Sequence, residues 1–152
     1  MEYELPNLIE RDISIDLGGL MTHSKEQSEK EQVGYSIAVN GDPLYGFDEG
    51  DWQEGWYVIG RETMCGDPIF IDLNDTGMPV YTSSHGMGEW NETCIAESYD
   101  EFEMVLKLID SAVINRKIPS NKVKELIKSI REIVGKDNIS FWKLLVGAKF
   151  LQ

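Results

Sequence analysis

Cations are scarce in the middle of this chain. Residues 41–103 contain fifteen acidic residues and one base, Arg61, a local net charge of −14. Residues 1–40 carry −5 and residues 104–152 carry +6, within an overall charge of −13. A block of that sign repels phosphate backbones and anionic lipid over a Debye length of about 10 Å. Nucleic acid and membrane surfaces are therefore excluded as partners of that segment. The same block attracts a basic protein and speeds the encounter with it, or it serves solubility alone.

Histidine is equally sparse. His23 and His85 are 62 positions apart, and neither has a neighbour at metal-ligand spacing. Zinc motifs of the HExxH and Cys/His kinds are thus missing, as are a phosphate-binding P-loop and a G-x-S-x-G nucleophile elbow. No cofactor is expected. The two cysteines, Cys65 and Cys94, come with no sign of an oxidising compartment and read as free, buried thiols. No apolar run approaches the ~18 residues of a membrane span. The start, Met1-Glu2-Tyr3-Glu4, lacks the layout of a secretory signal, so a cytoplasmic address is expected.

Pattern is densest between Trp56 and Ala96. Trp56-Tyr57-Val58-Ile59 and Ile69-Phe70-Ile71-Asp72-Leu73 are short β-branched and aromatic runs bounded by Gly60 and by Gly66-Asp67-Pro68. Asn74-Asp75-Thr76-Gly77 is a turn from which Pro79-Val80-Tyr81-Thr82 returns, which predicts an antiparallel hairpin. Upstream, alternation predicts strands near 12–17, ended by Gly18-Gly19, and near 33–39. Between them His23 to Gln32 has no apolar residue and reads as an exposed loop or one or two solvated helical turns. Leu44 to Phe47 reads as a further short strand.

Downstream the period changes. Ser98 and Glu101 form a capping box ahead of Phe102, Val105, Leu106, Ile109 and Val113 on one face, a helix over 99–115. Ile118-Pro119 breaks it. Ser120 is placed to cap a second helix over 121–134, with Val123, Leu126, Ile127, Ile130 and Val134 as its stripe and Gly135 as its stop. Ser140 is placed to cap a last one from Phe141 to Phe150. The fold class that follows is α+β: a central antiparallel or mixed sheet with helices packed on one side. One domain is expected over 1–152, with a helical extension from about 116.

Catalytic constellations are thin. Cys65 with His85 is a conceivable nucleophile and base, but a buried thiol and a turn histidine explain both residues. Asp72-Leu73-Asn74-Asp75-Thr76-Gly77 opens like a calcium loop, yet its twelfth position is Ser83 where a bidentate Glu is required. Asp67, Asp72 and His85 are the one set that a small metal-dependent hydrolase would use. No enzymatic role is expected.

G-R-E-T (60–63), C-G-D-P-I-F-I-D (65–72), P-V-Y (79–81) and H-G-x-G-x-W (85–90) occur in this order. Over roughly residues 52–109 they resemble the SUKH superfamily, the cell-wall-assembly-regulator-like family widespread in bacteria. That resemblance implies an α+β fold in which Gly60, Gly66, Asp67, Pro68, Asp72 and Trp90 shape the frame. It also implies an immunity protein that neutralises a toxin, often a nuclease, or else a regulatory scaffold for cell-wall synthesis. Charge and loop position add a binding surface: Asp48, Glu49, Asp51, Trp52, Glu54, Glu89 and Glu92, facing a basic toxin domain. In that surface Trp52 is either the aromatic anchor or a plug at the edge of the core.

Overall fold

A computed structural model describes residues 4–147. Its centre is a six-stranded antiparallel sheet in which spatial order follows chain order: β1 (Arg11–Ile15), β2 (Gly18–Thr22), β3 (Trp56–Glu62), β4 (Pro68–Asp72), β5 (Val80–Thr82) and β6 (Thr93–Ala96). Helix α1 (Lys25–Glu31) follows β2, and α2 (Tyr99–Ala112), α3 (Ser120–Val134) and α4 (Ser140–Leu145) follow the sheet. The class is α+β.

Strand periodicity sorts the side chains. On one face Ile59, Ile69, Ile71, Val80 and Ile95 pack with Phe102, Leu106, Ile109, Ile130 and Trp142 of the helices. On the other, Trp56, Val58 and Phe70 form a second core with Trp52, and Tyr35, Tyr81 and Trp90 pack against it. Burial on both sides is why β3 and β4 read as near-continuous apolar runs instead of alternating ones.

Several elements differ from the sequence expectation. The alternation near 12–17 is a hairpin: β1 ends at Ile15, Asp16 takes a φ of 53° in the turn, and Gly18-Gly19 begin β2 instead of ending a strand. A Cβ on Gly19 would collide with the Ile13 carbonyl, so a glycine is needed for the close approach. The polar stretch takes the helical of its two expected readings: it is helix α1, seven residues capped by Ser24, whose side chain accepts from the Gln27 N–H at 3.2 Å. Residues 33–39 form turns with isolated bridges, and Leu44 to Phe47 has only one bridge, Gly46 to Gln53. Strand β6 is an addition.

The reason for no strand at 33–39 lies in β3. Its flank is already occupied by β2 at Gly60–Glu62 and by the His23 N–H, which donates to the Ile59 carbonyl at 2.8 Å. Beyond that point the Gln32 side chain takes over the ladder. Its Oε1 accepts from the Val58 N–H at 2.9 Å and its Nε2 donates to the Val58 carbonyl at 2.8 Å and the Ser28 carbonyl at 2.6 Å. One buried amide thus supplies what a neighbouring strand would have supplied.

The helices follow the sequence more closely. Ser98 Oγ accepts from the Glu101 N–H at 3.1 Å. Helix α2 stops at Ala112, because Asn115 and Arg116 adopt φ of 52° and 65° in a tight turn. Pro119, not Ser120, occupies the cap of α3. Helix α4 is shorter than expected, and residues 148–150 of the predicted helix lie outside the described residues. Trp142 Nε1 donates to the Ile95 carbonyl at 2.8 Å and pins α4 to β6. Arg11 of β1 reaches α2, with 3.1 Å to Glu103 and 3.7 Å to Asp110.

Gln32→Leu removes both partners of a buried peptide unit while keeping side-chain bulk. The expected loss is about 2–4 kcal/mol in urea denaturation, against less than about 0.5 kcal/mol for the exposed Glu29→Gln on α1. His23 supplies a pH dependence. Burial lowers its pKa below 6.5 and its Nε2 has no hydrogen-bond partner, so the fold holds it neutral. Protonation therefore favours the unfolded chain. Stability from this group is complete above pH 6.5 and is lost as pH falls from there toward the lower folded value. His23→Gln is expected to remove that part of the decline in denaturation midpoints followed against pH.

Candidate protein-binding face

The second core is covered by loops, not by helices. Residues 33–55 and 83–92 cross the outer face of β3–β5 and meet over its aromatic side chains. Trp52 is the centre of the cluster at 2% exposure. Its ring lies 4.7 Å from Phe70, 5.3 Å from Trp56, 5.1 Å from Trp90 and 5.3 Å from Tyr35, centroid to centroid. The crossings with Trp56 and Trp90 are edge-to-face, the arrangement that aromatic quadrupoles favour. Trp52 Nε1 donates to the Trp56 carbonyl at 3.2 Å, so the one polar atom of the ring is satisfied. Trp52 is therefore the plug of the two readings, and its place in the expected binding surface is corrected: the ring is spent on the core.

The plug fixes the acidic loop around it. Gly46 N–H donates to the Trp52 carbonyl at 2.9 Å, Asp51 Oδ2 accepts from the Asp48 N–H at 3.1 Å, and Gln53 Nε2 donates to the Asp48 and Asp51 carbonyls. Gly50, at φ 92°, joins this loop to the other one. Its carbonyl accepts from the Trp90 N–H at 2.8 Å, and a Cβ on it would stand 3.1 Å from Glu89. Asp48, Asp51 and Glu89 are brought together about that junction, with Glu49 next to it in the chain. Glu54 and Glu92 stand apart. The Glu54 carbonyl accepts from Asn74 Nδ2 at the β4–β5 turn, and Glu92 precedes β6.

Among the described residues, no lysine or arginine lies within ion-pair distance of Asp48, Glu49, Asp51, Glu89 or Glu92. The basic helix α3 packs on the opposite side of the sheet. The acidic face is thus not neutralised by cations among the described residues.

The surface residues that sequence reasoning missed are apolar. Phe47 is 88% exposed and Val39 94%, and Leu44, Tyr45 and Met87 are also exposed. The signal was available. Gly41, Pro43 and Gly46 interrupt residues 39–47 too often for a strand, so its apolar side chains had no sheet face on which to be buried. A solvent-facing Phe47 beside Asp48 and Glu49 places an apolar contact within a charged rim, the layout of protein interfaces.

Another loop system holds the frame at the edge of this face. The Glu62 carboxylate accepts from the N–H groups of Met64, Cys65 and Asp67 at 2.9, 2.7 and 3.2 Å, closing the turn into β4. Asp67 Oδ1 accepts from the His85 N–H at 3.1 Å and lies 2.7 Å from His85 Nδ1, which ties the glycine-rich turn to β4. Gly66 has φ 82°, Thr82 Oγ1 donates to the Pro68 carbonyl, and a Cβ on Gly60 would collide with the Met21 carbonyl of β2. Cys65 is exposed and Cys94 half-buried, both as free thiols, so the expectation of two buried thiols is corrected.

The hydrolase set does not assemble. Asp67 precedes β4 and Asp72 is its last residue, and at about 3.3 Å per residue the strand separates them by roughly 16 Å. Asp72 Oδ1 instead accepts from the Asn74 N–H and Asp75 Oδ1 from the Gly77 N–H, both at 2.9 Å, the turn bonds that account for the calcium-like spacing. Among the described residues no three His, Cys, Asp or Glu side chains gather as metal ligands, and no helix is long and apolar enough to cross a membrane. The chain matches no family model, no curated protein and no solved structure.

Plug and surface side chain separate in a stability measurement. Trp52→Ala is expected to cost about 3–5 kcal/mol in chemical denaturation, the range for large aromatic truncations in a packed core. Phe47→Ser is expected to stay within about 0.5 kcal/mol of the parent.

Proposed function

We propose that this chain is a non-enzymatic binding protein that offers an acidic, apolar-centred face to a basic protein partner. The supporting observation is the joint surface of residues 39–51 and 86–90. It combines exposed Phe47, Leu44 and Met87 with Asp48, Glu49, Asp51 and Glu89, all rigidly backed by the Trp52 cluster. Opposite charge steers a basic partner to this face, and the apolar side chains supply the desolvated contact that holds it. A rigid backing reduces the ordering that binding would otherwise require.

The resemblance of residues 52–109 to the SUKH superfamily gives that partner a class: a toxin domain of nuclease type, neutralised in the cytoplasm by an immunity protein. A nuclease must carry a cationic cleft for its phosphodiester substrate. An acidic protein that occupies the cleft blocks it with the same electrostatics. The carboxylates act in this reading as competitors for the phosphate site and perform no bond chemistry.

The reading predicts a gene for a basic toxin domain beside the gene for this chain, and growth rescue when the two are coexpressed. With that domain purified, affinity is expected to fall as salt rises. The double reversal Asp48→Lys, Glu49→Lys is expected to weaken binding at least tenfold at low salt and to flatten the salt dependence, with an unchanged melting temperature. Tenfold corresponds to about 1.4 kcal/mol. Unchanged affinity and salt slope in the reversal would remove this face from the interaction.

A further inference from the structure

A cavity of about 330 Å³ lies where the acidic loop and the glycine-rich turn meet. Tyr35, Trp52 and Trp90 line it on one side, and Asp51 and Glu89 stand among its polar lining. Its volume is at the small end of the roughly 300–1,000 Å³ of small-molecule sites. The three rings touch one another, with Tyr35 5.7 Å from Trp90 in addition to the contacts of Trp52. Tyr35 and Trp90 are only half-buried, so each ring keeps part of its surface accessible.

Three features narrow the occupant. An aromatic wall presents the negative face of its quadrupoles, which attracts a cation. Two carboxylates in the lining exclude an anion and penalise a neutral apolar group that would desolvate them without pairing. Gly34, Gly86 and Gly88 also line the cavity with positive φ, and a Cβ on any of them would meet nothing within 4 Å. With no side chain at these three positions, the lining leaves room for a planar group. A guanidinium meets all three conditions: it stacks on aromatic faces, is always charged and pairs with carboxylates in a fork. An ammonium offers a compact point charge and lacks the stacking surface.

We propose that this cavity receives one arginine side chain of the partner, stacked on the Tyr35–Trp90 wall and paired with Glu89 and Asp51. The proposal rests on the binding-protein reading above and specifies the contact inside that face. Phe47, Met87 and the outer carboxylates then form the surround, and the arginine supplies the desolvated anchor.

The test uses three blocked pentapeptides, acetyl-Gly-Ser-X-Ser-Gly-amide with X as Arg, Lys or Gln, titrated into the full chain at millimolar concentrations. The readout is the ¹H–¹⁵N spectrum, including the Trp52 and Trp90 indole N–H signals. The Arg peptide is expected to shift Trp90 and the amides of Gly50, Gly86 and Gly88 in a saturable way. The Lys peptide should bind several-fold more weakly, and the Gln peptide should leave these signals in place. Glu89→Gln is expected to weaken the Arg peptide at least fivefold at an unchanged melting temperature. Glu132→Gln, an exposed carboxylate on α3, is expected to change nothing. Equal shifts with the Gln peptide, no saturable shift at the cavity, or full binding to Glu89→Gln would each overturn the proposal.

The two readings fail separately. If a basic toxin domain binds and loses affinity on reversal of Asp48 and Glu49 but is indifferent to Glu89→Gln, the arginine site falls and the acidic face stands. If the Arg peptide fills the cavity but no basic toxin domain binds, the site stands and the immunity reading falls.

Discussion

Trp52 packed against Phe70 is the contact on which the rest of this molecule depends. Strands β3 and β4 are apolar on both faces, so each face must be covered. Helices α2, α3 and α4 cover one. The short α1 sits only at the flank of β3, and the chain covers the other face with loops whose backbone is held by turns and whose grip comes from aromatic rings. A loop cannot offer a continuous apolar stripe. A few large side chains that each bury much area are the efficient substitute, and Trp52, Trp90 and Tyr35 fill that role.

This solution divides the charge. Helix α3 lies on one side of the sheet with its lysines, and the acidic loops lie on the other. A loop pinned from beneath by a ring has its remaining side chains pointed at solvent, where carboxylates are cheaply hydrated. Hydrogen bonds within and between the loops, such as Asp48 N–H to Asp51 and Trp90 N–H to Gly50, keep the negative charge in a fixed place. A rigid acidic surface next to exposed Phe47 differs physically from a diffuse acidic coat. The first can meet one partner in one register, and the second only keeps the protein dispersed.

Local chemistry made some elements legible. The β4–β5 hairpin was readable because Asn74 to Gly77 is turn chemistry between two β-branched runs. Helix α2 was readable because Ser98 and Glu101 announce its start and the apolar stripe its face. The turn into β4 was visible as glycine and proline, but the threefold use of the Glu62 carboxylate to close it was not. Strand β6 is four residues long and takes its identity from pairing with β5. The β1–β2 hairpin was hidden because Gly18-Gly19 signals a stop, whereas here a missing Cβ is needed within a strand.

The sequence by itself determined the class of fold, the sign of the charged block and the local hairpin and helix signals, because each depends on residues within a few positions of one another. Which side chains reach solvent was decided only by the tertiary structure. Trp52 and Phe47 are five positions apart in one acidic loop. The glycines and proline of residues 39–47 tell against a strand there, but only contacts with Phe70, Trp56 and Trp90 turn Trp52 inward. Trp52 packs on the outer face of β3–β4, and Phe47 remains outside.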